Sequence, residues 1–447
     1  MKLVKMSLAA AVLLGASAFA IDNVKVNGDA KVFYDTNTKD YTAGGVTDSG
    51  LFDKPGSSAD TALRLGVTGD LLKGVSFGVT GYAISTLGLE NNLVGNVWSG
   101  AHGGVSDGTV DASDLKDTSW VSELWIAGTF GKTTAKVGRM ELDTPFAFSE
   151  KWSVAANTFE GAVLINQDIP DTTLIAAWVG KTNGYNVGQN TTATIGIKNS
   201  TDTGIDGIMG AGAEFYSFAE EGAYAVAAIN NSFKPLAAQA WYYNVGAVAD
   251  AYWLQADIDC QLVKGVKIGA QYADMSPKGL LKAHGVTKDS EAYAFKLGYE
   301  GIENLKVSAA YSKVDDEGTL KISNVGTNNL SSAQSKLYTE AWWNYGYVGA
   351  PDAQSWNVTA EYNAGFAKIG AYYTDVSVND TKAQSVTVVD GTDMTEVALT
   401  VSKSFGPLDT TLAYISTDAD DQNKENGAGV GTGRRYESVQ AYLTLNF

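Results

Sequence analysis

The 447-residue chain is short of the residue types that catalysis, metal binding and covalent cross-linking draw on. Cys260 is the only cysteine, so no internal disulfide can form and loops must be held by other contacts. Two isolated histidines, His102 and His284, do not supply a zinc- or copper-type ligand set, and no metal or other cofactor is expected. Beyond residue 20 no stretch stays apolar for the ~20 residues that a membrane helix needs. Cations are also in deficit: 32 Lys and Arg stand against 50 Asp and Glu, a formal charge of −18 that excludes nucleic acid as a natural partner. Prolines number only seven, and all of them fall in expected turns or loops, because proline cannot donate to a sheet ladder.

The first twenty residues form a separate unit. Lys2 and Lys5 precede the apolar run Leu8 to Leu14, and Ala18-Phe19-Ala20 makes a small-residue cleavage site. Residues 1–20 therefore read as a signal peptide, and 21–447 as one exported domain.

What the chain does have is alternation. In its last twelve residues, Val439, Ala441, Leu443, Leu445 and Phe447 fall on one face of an extended strand, and Ser438, Gln440, Tyr442, Thr444 and Asn446 on the other. The same period of two recurs at Asn23 to Asp35, Leu305 to Ser312, Trp356 to Tyr362 and Glu396 to Ser402. Eight short connections alternate with nine long ones. A short turn is expected at Phe218–Gly222, long loops at Asn231–Gly246 and Asp315–Ala353, and the strand before Phe218 carries Glu214. That gives an all-β fold: a transmembrane antiparallel β-barrel of eighteen strands, with short inner turns and long outer loops. A soluble β-sandwich or β-helix would leave the leader, the turn alternation and the aromatic terminus unconnected.

The inward face carries Arg64, Glu123, Glu214, Asp257, Asp259, Lys267, Lys296, Glu361, Lys368 and Glu396. A dry core could not hold so many charges, whereas a wet lumen can. The third long loop opens with KVGRMELDTPFAFSEKW, Lys136 to Trp152, where alternation stops. Folded inward, its Arg139, Glu141, Asp143, Glu150 and Lys151 would line a constriction and set a field across it, as charge rings do in selective pores. Strict alternation from Val137 nevertheless puts Arg139 on the lipid side unless a bulge turns it. Gly74-Val75-Ser76-Phe77-Gly78 matches G-x-S-x-G, but Ser76 lies within an alternating strand rather than on the strand-to-helix elbow that a nucleophile needs, so no enzyme is expected.

The leader MKLVKMSLAAAVLL, the KVGRMELDTPF run, the strand count and the terminal Phe447 together resemble the major outer membrane porins of campylobacters and their relatives, themselves similar to OprD-like channels. The resemblance implies a homotrimer in the Gram-negative outer membrane, embedded in its lipid. It implies a diffusive, cation-preferring pore for ions and small hydrophilic solutes, with Glu141 and Asp143 where a constriction acid would sit. The family pattern has Gln where this chain has Met140. Two alternatives stand beside passive diffusion. One is a substrate-specific OprD-like channel. The other is a surface adhesin that uses long outer loops, chiefly the apolar patch of Trp342, Trp343, Tyr345 and Tyr347.

Overall fold

The computed structural model describes residues 21–38, 50–89, 92–95, 117–184, 215–217, 222–283, 285–327, 333–378, 393–419 and 435–447. The expected leader, His102, Glu214 and His284 lie outside the described residues.

In chain order the strands are β1 (Asp22–Asn37), β2 (Ser57–Leu72), β3 (Val75–Ser85), β4 (Thr118–Phe130), β5 (Thr133–Met140), β6 (Phe159–Asn166) and β7 (Thr172–Thr182). The short β8 (Tyr216–Ser217) comes next, followed by β9 (Ala223–Asn230), β10 (Leu236–Val245), β11 (Ala249–Asp259), β12 (Val266–Pro277), β13 (Ser290–Ile302) and β14 (Leu305–Val314). The last are β15 (Gln354–Asn363), β16 (Lys368–Ser377), β17 (Met394–Phe405), β18 (Leu408–Asp418) and β19 (Arg435–Asn446). β8 only adds two residue pairs to the top of β7, which pairs directly with β9. The other eighteen strands pair antiparallel with their neighbours in chain order. The terminal strands then close the ring, from Asp29 opposite Asn446 to Asn37 opposite Ser438. Gly28 and Phe447 exchange both backbone hydrogen bonds at the seam, at 2.8 and 3.0 Å. A closed sheet has no edge, which is the condition for crossing lipid with strands.

Alternation sorts the side chains as expected. Leu124, Ile126, Val137, Phe295, Leu297, Leu399 and Leu443 are exposed on the outside, where lipid takes the place of a second protein layer. Tyr252, Tyr272, Tyr293, Trp356 and Tyr373 form an outward aromatic belt toward the loop end, and Phe130, Phe366, Phe405 and Phe447 another at the turn end. The turns are tight. Gly74, between β2 and β3, has φ +81°, and a Cβ there would come within 2.9 Å of the Thr129 carbonyl oxygen.

One stretch differs from the expected strand map. The expected loop Asn231–Gly246 contains β10, paired on both sides, and the inner turn falls between Asn230 and Leu236. Of the strand expected before Phe218, the described residues show only β8. The total of eighteen survives because one strand replaces the other. β10 escaped detection because both its faces are apolar: Ala240 and Tyr242 face out, while Trp241 and Tyr243 are buried inside. A strand with no polar face does not alternate.

Candidate functional site

The lumen is narrowed by two segments. The first runs from Glu141 to Thr158, between β5 and β6. Thr144 accepts from the Ala147 N–H and donates to the Ala147 carbonyl, making a tight turn around Pro145. That turn drives Phe146 edge-on into Tyr243 and Trp253 on the wall, with both ring centroids at 5.5 Å. Val154 and Ala155, further along, pack on Phe33, Tyr82 and Ile84. Apolar contacts to β10–β11 at one end and β1–β3 at the other thus stretch the segment across the barrel.

The second segment is the long connection 315–353, expected as an outer loop. It too folds inward: Ile322, Leu337, Ala341 and Val348 join the cluster that holds Phe146. Trp343 packs 5.7 Å from Trp152 and 6.2 Å from Phe33, and Trp342 lies 4.9 Å from Tyr372. The aromatic patch considered for an adhesin is therefore inside the lumen. A signal was present in the sequence: a solvated loop has no use for Ile322, Leu337 and Val348.

Two expected pore charges are structural. Glu150 is 2% exposed. Its Oε1 accepts from Asn324 Nδ2 at 2.9 Å, Thr327 Oγ1 at 3.0 Å and the Gln334 N–H at 3.1 Å, and its Oε2 accepts from Trp152 Nε1 at 3.2 Å. Burial raises its carboxyl above the ordinary range, against the opposing pull of these donors. Glu396 on β17 points inward as expected but is 1% exposed, capped by the N–H groups of Trp343 and Asn344 and by Asn344 Nδ2 at 3.1, 2.8 and 2.7 Å. Both acids tie inward loops down because those loops bring unpaired donors that a nearby carboxylate satisfies.

Arg139 is also displaced from its expected role. It pairs with Leu124 across β4–β5, and paired residues share a face, so it points outward to Glu160. No bulge turns it inward, and the parity of Val137 decides the matter.

The structure places the other three charged residues of the first segment, Glu141, Asp143 and Lys151, against one lumen cavity. Glu141 pairs with Lys151 at 2.6 Å, and Asp143 pairs with Lys336 of the second segment at 2.8 Å. On the wall, Arg64 pairs with Asp29 at 2.5 Å, and Lys136 lies within electrostatic reach of Glu123 and Glu141. Further round, Glu361 pairs with Lys368 at 2.8 Å, Lys267 pairs with Asp259, and Tyr338 donates to Asp257 at 2.6 Å. Lys296 lies 5.6 Å above the Tyr338 ring.

Some of these groups line two cavities. One, of about 740 Å³, is lined by Glu141, Asp143, Lys151, Trp152, Lys336 and Tyr442. The other, of about 490 Å³, is lined by Lys267, Lys296, Glu300, Lys306, Glu361 and Tyr372. Both touch Gln334, Glu340 and Trp342, so the partition between them is built from the segment whose inward course the sequence had not revealed. Ser76 remains within β3, with no elbow.

Solved porin structures share this architecture. Pseudomonas aeruginosa OccK8 (OprE) matches with a TM-score of 0.66 at 14% identity, covering 95% of this chain and 98% of that one. P. aeruginosa OpdK, solved with vanillate, matches with the same score, identity and coverage. P. aeruginosa OccD3 (OpdP) gives a TM-score of 0.63 at 14% identity over 96% of this chain and 92% of that one. At such identities the likeness establishes the fold. No curated protein sequence matches the chain. The model of the outer membrane porins of the OprD family matches residues 128–372, which run from β4 through both inward segments into β16. With more than half its length matched, the chain belongs to the OprD family of outer membrane porins and resides in the outer membrane of a Gram-negative bacterium.

Proposed function

We propose that the protein is a passive channel for ions and small hydrophilic solutes, with a mild preference for cations. The observation that carries this reading is a lipid-facing barrel whose inward charges surround two cavities, an arrangement that only a hydrated lumen accommodates. The preference is mild because Glu141 and Asp143, the acids at the narrowing, each face a lysine. Its sign follows the overall charge of −18. A substrate-specific channel is the second reading. Trp342 and Tyr372 beside Lys296 and Lys306 favour it, since they offer a solute both an aromatic platform and charge. We place the chain among the campylobacter-type members on its leader and KVGRMELDTPF run, and propose a trimer, which the native mass of the detergent-extracted protein would test.

Single-channel recording in a planar bilayer under a salt gradient tests the main proposal. Steady conductance with a small cation-side reversal potential is expected, and no conductance from folded, inserted protein would overturn it. The same recording has an expected pH dependence. Glu340, in the partition, has its carboxyl pushed up to about 8 by burial, with Glu150 raising it further and the Ser335 N–H and Lys336 opposing. A raised carboxyl is neutral below that value and ionised above it. Cation preference should therefore grow between pH 6 and 9.5, by ~ one added charge at the partition, and the growth should vanish in Glu340→Gln.

A further inference from the structure

Arg139 faces outward at the rim of a membrane protein, and its surroundings distinguish that sector from the rest of the circumference. On β7, Trp178 is exposed on the lipid side, and its β9 partner Tyr224 is exposed beside it. Such an outward aromatic pair marks the headgroup level. Arg139, Glu160 and Lys181 lie just beyond it toward the loop end, in successive register on β5, β6 and β7. Arg139 Nε donates to Glu160 Oε1 at 2.8 Å, Arg139 Nη1 donates to the Val121 carbonyl at 2.9 Å, and the Phe215 ring covers the guanidinium at 4.1 Å. Lys181 Nζ is 3.7 Å from Glu160 Oε2, and its side chain is 49% exposed. Two cations thus share one carboxylate. Among the described residues, two of the guanidinium's five N–H groups are engaged.

Across β11–β16 the corresponding positions are mostly acidic. Two residues beyond the outward Tyr252, Tyr272, Tyr293 and Tyr373, toward the loop end, stand Asp250, Asp274, Glu291 and Asp375. Lys313 holds the equivalent position on β14, and Lys278 pairs with Asp250 at 2.7 Å. Acids still outnumber cations across β11–β16, whereas across β5–β7 two cations share one carboxylate.

We propose that Arg139 and Lys181 form a binding site for the phosphate of an outer-leaflet lipid headgroup, with Glu160 holding the two cations in place. The guanidinium fork and a neighbouring ammonium match phosphate chemistry, the site is at headgroup depth, and Phe215 shields one face of the guanidinium from water. A phosphate there would turn a net positive cluster into a compensated one.

Native mass spectrometry of the detergent-purified full chain tests this, with diphosphorylated lipid A, phosphatidylcholine and inorganic phosphate as probes. Lipid A should be retained and phosphatidylcholine should not. The double variant Arg139→Gln/Lys181→Gln should lose roughly tenfold or more of that retention. Glu160→Gln keeps an amide oxygen to hold Arg139 in place but removes the negative charge that competes with phosphate, and should increase retention, an effect of opposite sign that misfolding would not produce. Conductance should be unchanged in both variants, because none of these side chains faces the lumen. Equal retention by all variants would overturn the proposal. Complete displacement of lipid A by excess inorganic phosphate would overturn it too, by showing a site for the free anion.

Discussion

Replacing Glu150 with alanine should open the channel without unfolding the barrel. The carboxylate is the knot between the two inward segments: three of its four hydrogen bonds reach Asn324, Thr327 and Gln334, more than 170 residues away in sequence. Alanine takes the acceptor from the buried Asn324 and Thr327 donors and from the partly buried Gln334 N–H, at about 1–3 kcal/mol for each one that water cannot reach. That is several kcal/mol, enough to detach one loop from the other. The eighteen-strand ladder and its closing seam contain none of these bonds, so heat-modified gel mobility should stay that of a folded barrel. Single-channel conductance should rise and become noisier. Glu150→Gln should be milder, since its amide oxygen can still accept on one side while its NH₂ confronts the Trp152 donor. If Glu150→Ala conducted like the unaltered channel, the two-segment constriction would be wrong.

Glu396→Ala should have the second largest effect, at the other end of the same segment. It removes the acceptor for the Trp343 and Asn344 N–H groups and for Asn344 Nδ2. Asn344 keeps Thr417 Oγ1 at 2.9 Å and the Tyr436 hydroxyl at 2.7 Å, so the tether loosens rather than parts. With a loss of about 3 kcal/mol, amide exchange at Trp343 and Asn344 should quicken by roughly a hundredfold. Solutes large enough to touch Trp342 and Trp343 should permeate faster, and small ions less so. Unaltered exchange at both amides would sink the idea. Because the two acids secure one segment, Glu150→Ala and Glu396→Ala together should deviate from additivity.

Legibility followed how local the determining forces were. The terminal strand was readable because Leu443 and Leu445 meet lipid while Tyr442 and Thr444 meet the lumen, a contrast written in period two. β10 was not, because its inward face meets Phe146 rather than water, and the polar half of the pattern is missing. Arg64, Asp257, Lys267, Lys296, Glu361 and Lys368 were placed inward by parity alone, and they do point there. Glu150 and Glu396 were taken for pore charges because a sequence shows a carboxylate but not the donors that will surround it. Lys336 and Glu340 were missed because nothing local marks a segment that turns inward.

The sequence by itself determined the barrel class and, in the strands that alternate, the face shown to lipid; the count of eighteen stood because β10 took the place of the strand expected before Phe218. Class and face depend on whether each residue contacts lipid or water, a choice made one residue at a time and repeated along every such strand. Only the tertiary structure decided where the lumen narrows and which charges line it. Whether a carboxylate selects ions or ties down a loop depends on donors that arrive from more than 170 residues away, as at Glu150. For Arg139 the tertiary structure supplied only the missing piece, an unbroken register past Val137 with no bulge to turn it inward.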